Sequence, residues 1–588
     1  MVCDYRLIGI CLTKPPLDAG PSLFGFPEFL TALALLALAF NASDPLYRFR
    51  VEVAPFPLRR TAFVLSALVG SFTLLNDIWF IERWPALPWG VRRATIQALL
   101  ASPFLIVILA WLWFAFLRRP VFDRWNYKRF HGAILWRMIR GSTAELTAIA
   151  GEIGFVAESL VAHSGLSLTA KRRATEGKAA PGIAIYAHDT LLLLGHRKFC
   201  RVVVASSSDT AVALMWAAAL KEKYQIPLGR FVQNITAEAI LNPDSPLYHE
   251  DRHSLMGVFG EMRPFTMAMY GDYKLVEGIG EVASSPFDLD WEIMRALTAR
   301  QWQAYCDIVL VSFEAFLGEG NLSRNSSLLA RAFGEIAQAS QDSYQLDGAG
   351  LSAAGAELRS KLSASTMFAQ NALLALSKVE DVSGLRRRLP APGQPGSYRE
   401  ITDWFADMLY KIIFNASAVD QPDDLAWTIH YNLVWTRLFQ YSGGQKAAGI
   451  VLFKLRRLLY DEIKHLADFP NFEGARILGI CLNIFGVEEA RGARLKRHDE
   501  PLRRAVIKWT KRHYLTLVDS NPRVAQACLI GSISFDPKRR QLIKTYAQGL
   551  NAEARRGYLD LDPSDRNARL RGAFTTLRRR LQRPKDHS

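Results

Sequence analysis

The sequence predicts a mainly α-helical protein: transmembrane helices, three or at least two, followed by a large, mostly helical cytoplasmic region. Three observations carry this reading. Apolar runs from Leu23 to Phe40, Thr61 to Ile81 and Ile96 to Leu117 crowd the first fifth of a 588-residue chain. A dense basic cluster follows the third run. Beyond that cluster, apolar residues recur at three- and four-residue steps through most of the remaining length.

The second and third runs are each long enough to cross roughly 30 Å of hydrocarbon as a helix. Trp79, Trp84, Trp89, Trp111 and Trp113 lie near their ends, where interfacial aromatics are favoured. Pro27 and Glu28 interrupt the first run and leave Phe29 to Phe40 as its clean part. That run spans, lies at the interface, or is a signal peptide cut near Ala37-Leu38-Ala39. Charge argues against the signal peptide, whose removal would leave two spans and put the basic cluster outside. Arg118, Arg119, Arg124, Lys128, Arg129, Arg137 and Arg140 follow the third run against a single Asp123, and such clusters stay on the cytoplasmic side. The expected location is the cell inner (plasma) membrane, with multiple spans and a cytoplasmic carboxyl end.

Residues 1–119 are thus expected to be the anchor and 120–385 a first helical domain. In the latter, Leu146, Ile149, Ile153, Val156 and Leu160 mark a helical seam. A small α/β element is expected near 200–225, with Arg201-Val202-Val203-Val204 as a buried strand. Ser206-Ser207-Ser208-Asp209 then caps a helix from Thr210 to Lys223. Helical patterns continue from Leu289 to Leu317, Ser326 to Tyr344 and Leu351 to Val379. Prolines and glycines concentrate in 386–397, which reads as a linker. Residues 398–560 read as a second helical domain, and 561–588 as a solvated basic tail.

Lysine and arginine total 72 against 56 aspartate and glutamate, a net charge of +16. The excess suits anionic lipid beside the anchor. Nucleic acid is not the expected partner, because Phe574 is the one aromatic residue after Tyr558 and stacking on single strands needs more. The six cysteines have no paired spacing, so neither a disulfide framework nor a zinc ribbon follows.

Two motifs need weighing. His249-Glu250-Asp251-Arg252-His253 fits H-E-x-x-H, in which two histidines one helical turn apart share a zinc ion and the glutamate activates its water. Here charged residues fill the two middle positions. Ser245-Pro246 reads as a helix start, which places Glu250 where the dipole favours an acid without any metal. Ser442-Gly443-Gly444-Gln445 matches the core of an ATPase signature loop, yet the chain has no G-x-x-x-x-G-K-[ST] to cradle phosphates. Leu458 to Glu462 continues a helical pattern rather than a strand.

No catalytic residue, cofactor or metal is therefore expected. The reading is a membrane-anchored scaffold, sensor or effector component that binds a protein partner at the cytoplasmic face. The alternatives are a zinc-dependent hydrolase using His249, Glu250 and His253, and a subunit of an oligomeric pore.

Overall fold

The computed structural model of the chain describes residues 5–7, 10–12, 24–42, 44–82, 84, 93–164, 182–250, 263–282, 284–320, 322–348, 352–389, 400–439, 446–488, 498–546 and 554–562. The architecture is mainly helical. The chain divides into two units, residues 1–269 with 274–286, and residues 270–273 with 287–588.

The first unit opens with a short antiparallel hairpin, β1 (Tyr5–Leu7) and β2 (Ile10–Leu12). Three apolar helices follow, α1 (Phe26–Ala42), α3 (Leu58–Ile81) and α4 (Arg93–Leu112), the last extended by a π-helical turn, Trp113–Leu117. A short helix, α2 (Pro45–Glu52), joins α1 to α3. Phe29 of α1 packs edge-on against Phe104 at 5.6 Å and lies over Gly70 of α3. A Cβ at Gly70 would come within 2.5 Å of the Phe29 ring, so only glycine admits this approach. Asp77, the one acidic residue in the second predicted span, accepts the Phe26 backbone N–H at 2.9 Å and so caps the start of α1. The start of α1 therefore meets the far end of α3, and the two run antiparallel.

Among the described residues, three helices are long and apolar enough by length and composition to cross a membrane: Leu58–Ile81, Ala94–Leu117 and α6 (Thr143–His163). The third was predicted as a packed amphipathic helix, and its burial agrees with that. Half of its apolar window is buried within the protein, against 22% for each of the other two. Its five seam residues are all buried. By contrast Phe63, Phe72, Leu99 and Ile106 on α3 and α4 stay exposed, as lipid-facing side chains should.

Around α6 pack α5 (Tyr127–Arg140), α7 (Gly182–Leu194), α8 (Arg197–Ser206) and α9 (Asp209–Leu220), and α10 (Gly229–Leu241) packs on α7 and α8. The strand expected at Arg201 to Val204 is instead part of α8. Three consecutive valines favour a strand locally, but two contacts decide for a helix. Phe199, Cys200, Val203 and Val204 all reach the core, and Arg197 and Arg201, one turn apart, both pair with Glu238. The serine turn beyond α8 bends the chain by 106° into α9. One-turn α11 (Pro246–His249), then α12 (Pro264–Tyr270) and α13 (Tyr273–Val282), lead to the division between units.

The second unit begins with α14 (Trp291–Ala296), α15 (Ala299–Gly318), α16 (Ser327–Ala339) and α17 (Ala353–Lys378). After the Pro/Gly stretch come α18 (Ile401–Ala416), α19 (Asp423–Trp427), a π-helical segment Thr428–Trp435 and α20 (Thr436–Leu438). The unit continues with α21 (Ala447–His465), α22 (Phe472–Phe485), α23 (Glu500–Ser520) and α24 (Pro522–Gln526). Residues 390–399 lie outside the described residues. The helices on either side of them share one aromatic core, in which Phe405 stacks on Phe313 and Phe333 at 5.7 and 5.3 Å. The two helical regions expected to be separated at 386–397 thus belong to one unit, and the division falls between residues 269 and 287.

The second unit also ends in a sheet that the helical reading of 398–560 did not expect. Strands β3 (Ile533–Asp536), β4 (Gln541–Tyr546) and β5 (Arg555–Asp560) pair antiparallel in that order. Ile533, Leu542 and Leu559 face inward. The same alternation puts Lys544 on the inner face.

Candidate functional site

His249 ends α11 and is exposed. The backbone leaves the helix at Glu250, whose φ and ψ are −72° and 130°. Continuous helix from 249 to 253 is what would bring both histidines onto one face, and it is not present at Glu250. The Glu250 carboxylate is engaged elsewhere. It accepts the backbone N–H groups of Phe265 and Thr266 at 2.6 and 3.1 Å, and the Thr266 hydroxyl at 2.5 Å, capping α12. His253 lies outside the described residues, as does Ser442 to Gln445. Leu458 to Glu462 is helical within α21, as expected. Among the described residues, no group of three or more His, Cys, Asp or Glu side chains is placed to hold a metal ion. The four described cysteines are free and buried, which raises their thiol pKa values and leaves them protonated.

The most developed polar site in the first unit is a clamp between α2 and the helices after α4. Arg50 is 13% exposed and Glu152, in the middle of the α6 seam, is 3% exposed. The guanidinium donates two bonds to the carboxylate, at 2.6 and 3.1 Å, and a third to the Ala115 carbonyl at 3.4 Å. The Glu152 bonds hold the Arg50 pKa above its ordinary value, against burial. Next to this pair Phe49 is fully buried against Phe130, with ring centres 5.8 Å apart. Arg137 of α5, itself buried, pairs with Glu52 at 2.8 Å and lies over the Phe49 ring. The Asn126 amide donates to the Val53 carbonyl at 2.8 Å, and Arg129 donates to the Pro55 carbonyl. The loop between the first two apolar helices is therefore fixed to the chain that follows the third. Arg129 and Arg137, read from the sequence as part of the basic cluster after the third run, also fix this loop, and Arg137 is itself buried.

The second unit holds two buried polar clusters. Lys454 of α21 is fully buried and donates to Asp403 at 2.6 Å, Glu400 at 2.8 Å and the Thr402 hydroxyl at 2.9 Å. Arg386 adds bonds to both carboxylates from the other side. Burial pushes Glu400 up, but the bonds from Lys454 and Arg386 outweigh it and leave its pKa below the usual value. Two cations against two carboxylates make the cluster neutral, so it pins α18 to α21 rather than offering a reactive group.

In the other cluster, Asn483 bridges His430 and Lys544. Lys544 Nζ donates to the Asn483 backbone carbonyl and, at 3.0 Å, to its Oδ1. The Asn483 amide nitrogen lies 3.0 Å from His430 Nδ1, and His430 Nε2 lies 3.0 Å from the Ala416 carbonyl. That pattern assigns the proton to Nε2 and leaves Nδ1 as acceptor. The Lys544 ammonium also faces the Trp427 and Tyr546 rings at 5.0 and 5.2 Å. Burial pushes Lys544 down to about 7. Burial, with the Lys544 charge adding to it, outweighs the bond to the Ala416 carbonyl and pushes His430 down to about 4. Both groups are enclosed, so the arrangement orders the π-helical segment against β4.

The sign of the resulting pH dependence follows from which state binds the proton. Between pH 6.5 and 4 the unfolded chain takes up a proton at His430 that the native state refuses, so stability falls on acidification across that window. The loss from this group is roughly 3 kcal/mol. Denaturation at stepped pH should show a shallower fall for His430→Gln than for the wild type. Equal slopes would mean that the ring is not held neutral.

No protein-family model, no curated protein and no solved structure matches this chain, so its function is argued from its own geometry.

Proposed function

We propose that this is an integral membrane protein whose helical region is held rigidly at the cytoplasmic face and works as a binding platform for a protein partner. The observation that supports it best is the Arg50–Glu152 clamp with its neighbours Arg137–Glu52 and Phe49–Phe130. A passive tether needs no buried ion pair between an inter-span loop and the cargo. A platform whose orientation to the bilayer matters does. The basic residues from Arg118 to Arg140 support the cytoplasmic assignment, and exposed Trp125 and Trp136 among them suit the interfacial zone. The engagement of Glu250 in capping favours this reading over a zinc hydrolase.

Alkaline carbonate extraction followed by in-membrane chemical cross-linking tests the proposal. The chain should stay in the membrane pellet. Its cross-links should map to one stoichiometric protein partner through residues after Arg118. Release into the supernatant would refute the integral-membrane reading, and retention without any partner cross-link would refute the platform reading.

A further inference from the structure

The face of α23 that points away from the core carries a basic groove of about 500 Å³. Leu502, Val506, Trp509, Tyr514 and Leu517 turn inward, which leaves Arg504, Lys508 and Arg512 on one exposed ridge at steps of four residues. The groove is lined by these three with Arg503, Ile507, Lys511 and Asp562. Among the described residues, five cations and one carboxylate thus line the groove. Glu500 pairs with Arg503 and Arg504. Lys508 and Arg512 have no ion-pair partner among the described residues.

Arg503 distinguishes this groove from an ordinary solvated face. It is 2% exposed, and its guanidinium is fixed at the groove wall by Glu500 at 3.2 Å and the Glu488 carbonyl at 2.6 Å. A buried, oriented arginine beside Lys508 and Arg512, which lack ion-pair partners among the described residues, leaves a positive field that a bound anion would offset. The basic tail does not supply that anion, since residues 564–588 hold eight Lys or Arg and two Asp.

We infer that this groove binds a compact polyanion carrying two or more phosphate groups, a role separate from the protein-platform reading. The ridge positions are about 6 Å apart, so neighbouring cations can engage different phosphates of one ligand. The volume fits a nucleotide-sized molecule. Single-stranded nucleic acid is disfavoured because, among the described residues, no aromatic side chain lines the groove for bases to stack on. A soluble polyphosphate compound and a phosphorylated lipid headgroup share this chemistry.

Calorimetric titration of the full chain in zwitterionic nanodiscs with inorganic tripolyphosphate tests the inference. The expected result is saturable 1:1 binding that weakens with salt. It should weaken at least tenfold in Lys508→Gln/Arg512→Gln, whose exposed positions leave the thermal midpoint unchanged. Lys538→Gln/Arg539→Gln, on the β3–β4 turn, should bind as the wild type does. Competition by adenosine triphosphate or by inositol trisphosphate then distinguishes the soluble source from the lipid one. Absent saturation, equal affinity in the ridge variant, or an equal loss in the turn variant would overturn the site. Displacement by an RNA oligonucleotide at lower concentration than by either small phosphate would overturn the ligand class.

Discussion

Replacing Glu152 by alanine is expected to destabilise the first unit by about 3–5 kcal/mol, because it strands the Arg50 guanidinium in a site with little water. Arg50→Met should cost a similar amount for the mirror-image reason, leaving a buried carboxylate unpaired. The double variant Arg50→Met/Glu152→Leu should lie closer to the wild type than either single change, since an apolar pair of similar volume removes both uncompensated charges. Urea denaturation in mild detergent, followed by the fluorescence of the interfacial tryptophans, reads all three. If the singles lose less than about 1 kcal/mol, the pair behaves as a surface bridge and the clamp is not rigid.

Lys454→Met should have an effect of comparable size in the second unit. It leaves Asp403, fully buried, and Glu400, nearly so, with Arg386 as the remaining ion-pair partner shown among the described residues. A loss of about 3–5 kcal/mol is expected at neutral pH. The sign of its pH dependence is set by Glu400, whose folded pKa is held below the usual value by Lys454 and Arg386. Such a group contributes stability above its unfolded pKa and loses it as pH falls through the folded value. The gap between Lys454→Met and wild type should therefore narrow on acidification below about pH 4, as Glu400 takes up a proton. A gap constant down to pH 3 would mean that packing, not charge, accounts for the loss.

The helical architecture was readable because apolar residues one turn apart must share a buried face. The α6 seam and α17 lie close to where that periodicity put them. The misread segments have specific causes. In α8 a run of valines mimics a buried strand, and only contact with Glu238, some forty residues on, selects the helix. The strands β3 to β5 are short and mix few apolar residues with polar ones, as in Gln541 to Tyr546, so they offered little apolar signal.

The clamp was invisible for a different reason. Arg50 and Glu152 are 102 residues apart, and sequence periodicity carries no information about pairing over that distance. One trace was present. Glu152 sits beside Ile149 and Ile153 on the apolar seam, and a carboxylate buried there demands a cation. Lys454 between Val451 and Leu455, and Lys544 between Leu542 and Tyr546, leave the same trace. A charge at a position that periodicity assigns to the core is the signal from which all three clusters could have been anticipated.

On the proposed topology the α2 loop and the chain beyond α4 lie on the same, cytoplasmic face and touch there. Single cysteines at Arg48 and at Arg140, both exposed, test it with a membrane-impermeant maleimide applied to intact cells and to permeabilised ones. Both positions should resist labelling in intact cells and react after permeabilisation. Labelling of either one from outside would place the two segments on opposite faces or turn the whole topology over, and the account would fail.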